Sequence, residues 1–304
     1  MIWLIIAGSV VVFYFLLMLL MFCLAFINLD KSPALPVKDP VYKALCQSAY
    51  DEFDSMVKED VYIESFDHHK LHGYFIENEK KNKVVISFHG YNTEARKEYP
   101  LHFSYYRDGY TVLIVDQRGL GKSEGKFITM GISERRDCLK WIEYVVERYN
   151  GDVEILLDGL SMGASTIMMA SKDIKSPQVR GMIANCGFDS CRDEIAHTVT
   201  KLMHLPKYPI MWTFPFYAKL FAKYDIDEIT AHDSLSESDI PILMIHGKED
   251  NFVPYSNMPL IFPYIKTRHK KAVTIENAAH GISCFVDSET FQNEIRAFMR
   301  SVGF

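Results

Sequence analysis

The pentapeptide Gly159-Leu160-Ser161-Met162-Gly163 follows the apolar run Val153-Glu154-Ile155-Leu156-Leu157-Asp158. It sets a serine between glycines at the point where a buried strand would turn sharply into a helix, the pattern of a nucleophile elbow. The strand and helix backbones approach too closely there for side chains two residues before and two after the serine. Ser161 then projects from the turn. An ordinary turn serine fits the same five residues, so the surrounding sequence has to decide. A serine hydroxyl is a poor nucleophile at neutral pH unless an imidazole takes its proton, and the imidazole works best when a carboxylate holds its tautomer.

An acid and a histidine follow in that order. Pro241-Ile242-Leu243-Met244-Ile245-His246-Gly247 reads as a buried parallel strand, and the loop Lys248-Glu249-Asp250-Asn251-Phe252-Val253-Pro254 leaves its carboxyl end. The strand Ala272-Val273-Thr274-Ile275-Glu276 runs into Asn277-Ala278-Ala279-His280-Gly281. Carboxyl ends of parallel strands share one rim, so Ser161, Asp250 and His280 are expected to converge. Glu249 competes with Asp250 as the orienting carboxylate, and His280 competes with ten other histidines. His246, at its strand end, reads as structural.

Two further blocks complete the pattern: His89-Gly90-Tyr91 after the strand Val84-Val85-Ile86-Ser87-Phe88, and the glycine-rich Asp116-Gln117-Arg118-Gly119-Leu120-Gly121-Lys122-Ser123-Glu124-Gly125. With the serine elbow, His246-Gly247 with Asp250 and Val253-Pro254, and Ala279-His280-Gly281, the chain over residues 55 to 304 resembles the α/β-hydrolases. The likeness is to their serine-aminopeptidase-like (S33-like) branch and to membrane-anchored hydrolases of low-GC Gram-positive bacteria. The resemblance places the acid at Asp250. Backbone N–H groups beside a carbonyl that gains negative charge are worth roughly 2.7–4 kcal/mol each, and Met162 and Tyr91 are the candidates. Met162 opens a helix after the nucleophile, and Tyr91 follows a glycine that lets the backbone approach the substrate. The loop from Asp116 to Gly125 is expected to shape the floor of the site without reacting.

The amino terminus carries a second signal. Residues 1 to 29 contain no charged side chain, and roughly 20 apolar residues suffice to cross the hydrocarbon core. A cleaved secretory signal has a basic start and an apolar stretch of roughly 7–15 residues, so an uncleaved anchor is favoured, with cleavage near Ala25 left open. Phe22 is too bulky for a lipoprotein cleavage site at Cys23. Lys31, Lys38 and Lys43 follow the span, which by the positive-inside rule favours the cytoplasmic side of the cell membrane for the remainder, with an extracellular hydrolase domain left open. The six cysteines form no evident disulfide framework and suit a reducing compartment.

The sequence thus divides into a transmembrane anchor at 1–29, a linker and lead-in at 30–54, and one hydrolase domain at 55–304. Eight strands are expected near 56–65, 71–77, 83–89, 111–116, 153–158, 179–185, 241–246 and 271–276, with helices near 93–108, 133–149, 162–172, 256–267 and 287–301. The alternation implies a doubly wound, mostly parallel sheet with an antiparallel hairpin at one edge. The interrupting stretch of about 188–238 reads as a helical cap, cut into short pieces by Pro206, Pro209 and Pro215. Its Met211, Trp212, Phe214 and Phe216 are candidates for an apolar substrate wall, or equally for cap core. His68-His69-Lys70-Leu71-His72 has clustered imidazoles, but it lies between two alternating strands and reads as a solvated hairpin turn, so no metal is expected.

A net charge of −6 and a pI near 6.0 argue against nucleic acid as a partner. The resemblance implies a cofactor-free serine hydrolase. The anchor and the greasy cap favour a carboxylesterase, or a hydrolase of acyl lipids or thioesters, over an S33-like peptidase. A membrane-anchored scaffold without catalysis is the reading from a different class. No obligate protein partner is evident.

Overall fold

The computed structural model describes residues 1–27 and 39–304. Lys31, Lys38 and the rest of 30–38, the start of the expected linker, lie outside the described residues. The chain begins with helix α1 (Ile2–Phe26) and helix α2 (Pro40–Ser55). Strands β1 (Glu59–Glu64), β2 (Lys70–Ile76) and β3 (Lys80–Phe88) follow, then α3 (Ala95–Arg107), β4 (Tyr110–Val115) and α4 (Glu134–Arg148). The centre of the fold is β5 (Glu154–Leu160), α5 (Met162–Ala170) and β6 (Val179–Asn185). A run of short helices, α6 (Cys191–His197), α7 (Lys207–Tyr217) and α8 (Ala231–Glu237), precedes β7 (Ile242–Gly247) and α9 (Asn257–Ile261). The chain closes with β8 (Lys270–Ile275), α10 (Ser283–Val286) and α11 (Ser288–Ser301).

The eight strands form one sheet in the order β1-β2-β4-β3-β5-β6-β7-β8. β2 runs antiparallel to both β1 and β4, and every other pairing is parallel. The expected edge hairpin and parallel body are therefore both present. Central strands of such a sheet are covered on both faces, which demands continuous apolar runs. In β5, Ile155 and Leu157 enter the core beneath α4 and α5, while Leu156 enters the opposite core with Tyr99 of α3 and Phe298 of α11.

One segment takes a form that the sequence did not announce, and one local expectation needs correction. Residues 40–55, expected as part of a lead-in, form a helix. Asp39 caps it by accepting from the Val41 and Tyr42 N–H groups at 2.7 and 3.3 Å, Pro40 starts it, and Cys46, Ala49 and Phe53 give it a buried face. The helix expected at 256–267 stops at Ile261 and continues as a single 3₁₀ turn through Tyr264, because Pro263 has no N–H to donate.

By length and composition α1 is able to cross a bilayer or to serve as a signal sequence. Residues 2–13 are exposed, but the second half of the helix packs on the sheet domain. Phe22 is fully buried, with ring centroids 5.0 Å from Phe26 and 5.9 Å from each of Phe127, Phe214 and Tyr217. Ile128 N–H donates to Phe26 O at 2.8 Å, Tyr217 Oη donates to Phe15 O at 2.7 Å, and Tyr91 Oη donates to Ala25 O. Phe22→Ala is therefore expected to destabilise the detergent-solubilised protein by about 3–5 kcal/mol, as for an aromatic core truncation. Phe13→Ala, on the exposed half, should stay within about 0.5 kcal/mol. Denaturant midpoints of both variants check this, and equal midpoints would mean that α1 is a loose tether.

Candidate active site

The turn from β5 into α5 explains the glycine spacing. A Cβ on Gly163 would lie 2.0 Å from Phe88 O, and one on Gly159 would lie 2.5 Å from the carbonyl carbon of Gly163. No side chain fits at either place. Ser161 itself takes φ 55° and ψ −117°, a strained left-handed setting for a residue with a Cβ. Its N–H is held by Asn185 O at 2.8 Å.

His280 and Asp250 arrive from neighbouring strand ends. Gly247, closing β7, packs against the loop after β8, where its Cβ would lie 2.3 Å from Ala278 O. His280 Nε2 stands 3.0 Å from Ser161 Oγ, and His280 Nδ1 stands 2.7 Å from Asp250 Oδ2. Asp250 Oδ1 accepts the Phe252 and Val253 N–H groups, both at 3.0 Å. Asp250 is buried while Glu249 is exposed, so the structure brings Asp250 and not Glu249 to the imidazole. His246 is buried, with Nε2 3.0 Å from Val253 O and 3.3 Å from Asp250, which fits its structural reading.

Burial works to raise the Asp250 carboxyl, but hydrogen bonds to His246 and His280 outweigh it and hold the group below its ordinary range. For His280, burial opposes the charged form. The Cys186 sulfur and the Asp250 carboxylate outweigh that and raise its proton affinity. Cys186, Asp250 and His280 offer atoms within 4.8 Å of one another, a spacing that also suits metal ligands. Both ring nitrogens of His280 are taken up by Ser161 and Asp250, which leaves none for an ion.

The other expected donors flank Ser161. A Cβ on Gly90 would lie 3.4 Å from Ser161 Cβ, so the His89-Gly90-Tyr91 turn runs directly beside the hydroxyl. Among the described residues no protein acceptor takes the N–H of Tyr91 or of Met162. The turn is rigidly braced. Gly90 N–H donates to Glu98 Oε1 at 2.8 Å, and Gln117 N–H donates to His89 Nε2 at 2.9 Å, leaving His89 Nδ1–H to donate to Gly90 O. Asp116 lies beneath: Oδ1 accepts Ala95 N–H at 2.9 Å, and Oδ2 accepts Lys122 N–H at 3.0 Å and pairs with His72 Nδ1 at 2.7 Å. His72 is thus a buried member of this bracing and not part of a solvated turn, whereas His68 is exposed.

A cavity of about 330 Å³ opens above Ser161, walled by apolar side chains from α1, α6, α7 and the loops after β6 and β7. Of the four cap residues expected at the substrate, only Phe214 lines it. Met211 is buried in the core, and Trp212 and Phe216 are exposed on the opposite face of α7. Helical periodicity gives the reason: positions 210, 211, 214, 217 and 218 turn inward, which sends 212 and 216 outward.

The family described as "Serine aminopeptidase, S33" matches residues 79–226, a stretch that includes Ser161 and stops short of Asp250 and His280. The uncharacterized protein YqkD of Bacillus subtilis is 26% identical over 251 residues, 82% of either chain. Among solved structures, the Pyrococcus furiosus esterase Pf2001 superposes with a TM-score of 0.68 at 23% identity, covering 91% of this chain and 98% of its own. The chain has the α/β-hydrolase fold. Est1E of Butyrivibrio proteoclasticus, solved with ferulic acid, shares the fold at a TM-score of 0.59 and 18% identity, over 80% of this chain and all of its own.

Three residues around this site carry little or no signal in the sequence. Glu98 fixes the Gly90 turn and lies beside His102, which burial would discharge but which the Asp158 carboxylate pushes up to about 9. Their four-residue spacing on α3 is the available signal. Cys186, after β6, has no signal of its own. Glu194 of α6 lines the cavity, and its Oε1 has no hydrogen-bond partner among the described residues. Burial pushes its pKa up to about 8, with the Asp250 charge adding to the shift and the His280 charge opposing it.

Glu194 gives a signed prediction. Between its ordinary pKa and about 8 the folded state keeps a proton that the unfolded chain has released, so stability falls as pH rises across that window. The slope contributed is up to about 1.4 kcal/mol per pH unit. Glu194→Gln removes the titration, so its loss of stability between about pH 5 and pH 8 should be smaller than that of the parent protein. Parallel denaturant curves at the two pH values would contradict the assignment.

Proposed function

We propose that this protein is a serine hydrolase that cleaves carboxylic esters or thioesters of hydrophobic acyl groups. The hydrogen-bonded sequence Ser161 Oγ, His280 and Asp250, at the foot of an apolar cavity, supports this most strongly. With Nδ1–H donated to Asp250, His280 keeps Nε2 free to accept the serine proton. Ser161 Oγ attacks the carbonyl carbon, and the oxyanion is held by the N–H groups of Met162 and Tyr91. His280 returns the proton to the leaving alcohol or thiol. The same ring then activates a water that hydrolyses the acyl-enzyme.

The S33 description raises the peptidase reading, but one carboxyl that stays neutral below about pH 8 is a poor partner for a peptide's ammonium. We assign α1 as a single-pass membrane anchor, with the hydrolase domain on the cytoplasmic side. The test is a chain-length series of p-nitrophenyl esters beside matched anilides, with the full chain in detergent. Faster ester than anilide turnover, rising with acyl length, supports the reading. Preferred cleavage of the anilides would move it to a peptidase, and no turnover of either would remove it.

A further inference from the structure

We propose that the enzyme draws its substrate, a membrane lipid bearing one long acyl chain on an ester, directly from the bilayer, and that the last turns of α1 form the wall along which that chain lies. This rests on the hydrolase reading above and goes beyond it, because it turns the anchor into part of the binding site.

The first observation is where the cavity opens. Its wall includes Met21, Leu24 and Ala25 of α1, together with Phe214 of α7 and Met203. Leu24 is 58% exposed and Met203 51%, so two members of the wall also lie on the outer surface. The mouth therefore sits beside the carboxyl end of an apolar helix.

The second observation concerns length. Residues 2–13, the exposed half of α1, span about 18 Å at 1.5 Å per residue, short of the roughly 30 Å hydrocarbon core. A helix that crosses must carry its packed half into the apolar layer, and α7 is packed on that half: Tyr14 Oη donates to Pro209 O at 3.3 Å and Tyr217 Oη to Phe15 O. The outer face of α7 and of the π-helical turn that follows it (Ala218–Ala222) suits that position. Tyr208, Trp212, Phe216 and Leu220 are all exposed at successive intervals of four residues, a continuous apolar stripe. Exposed Lys207 and Lys223 flank it, as on a face that meets anionic headgroups, while Lys219 pairs with Asp225 at 2.7 Å. One leaflet thus receives α1, the stripe and the cavity mouth together.

The full chain is reconstituted in phosphatidylcholine–phosphatidylglycerol vesicles for both arms of the test. In the first, kcat/KM is measured for p-nitrophenyl dodecanoate and for p-nitrophenyl acetate. Ala25→Trp, which fills the wall, and Leu24→Glu, an exposed position that places a charge at the mouth without burdening the core, should each lower the dodecanoate-to-acetate ratio about tenfold or more. A ratio unchanged in both variants would overturn the assignment of α1 to the pocket. In the second arm, brominated phospholipid should quench about a third or more of the emission that distinguishes the parent protein from Trp212→Phe. Unquenched Trp212 would overturn entry from the bilayer. If the parent protein cleaves neither ester, the hydrolase reading fails, while the quenching arm still decides whether this face meets the membrane.

Discussion

Ser161→Ala is expected to lower kcat on a p-nitrophenyl ester by about 10⁶-fold, leaving only what the oxyanion donors and the cavity supply. The size of the effect follows from the turn. Ser161 is the side chain whose oxygen lies 3.0 Å from His280 Nε2, and it is held there by a strained backbone setting that Gly159 and Gly163 make sterically allowable. Alanine tolerates the same setting no worse than serine does, so the variant should fold and still bind substrate. KM should stay near the parent value while kcat collapses. A variant that keeps a tenth of its activity would place the nucleophile elsewhere.

Asp250→Asn should cost about 10⁴ in kcat, for a reason of tautomer and charge together. The substituted carboxamide retains an oxygen for the Phe252 and Val253 N–H groups, so the loop keeps its shape. Its amide nitrogen then faces His280 Nδ1 as a donor, which forces the proton onto Nε2. In that form the ring has no lone pair to offer Ser161. The pH profile gives an independent reading. His280 must be neutral to act as base, and its proton affinity is raised, so kcat/KM of the parent enzyme should fall with acid from a point above the ordinary histidine value of about 6.5. Removing the Asp250 charge should shift that limb to lower pH. Glu249→Gln, on an exposed neighbour, should leave both rate and profile in place.

Much of this was legible in the chain because the signals are local. Apolar runs ending in Asp250-containing and His280-containing loops fix where those side chains leave the sheet, and parallel pairing brings the strand ends to one rim. Gly90, Gly159 and Gly163 mark close approaches that only a residue without a Cβ permits. The cap was less legible. Trp212 and Phe216 look like substrate contacts by composition, yet a helix shows one face to the cavity, and no feature of 207–217 alone says which. Glu194 was overlooked because its significance lies in burial beside Asp250, a long-range property. Phe22 and Leu24 were hidden inside a uniformly apolar segment. Only the packing of α1 on α7 separates a residue that meets lipid from one that meets the protein.

The most direct test of the central claim is covalent. The detergent-solubilised full chain is treated with a fluorophosphonate and the modified peptide is sequenced by mass spectrometry. A single adduct on Ser161 is expected, formed much more slowly in Asp250→Asn. A folded protein that stays unlabelled, or carries the adduct on another residue, would contradict it.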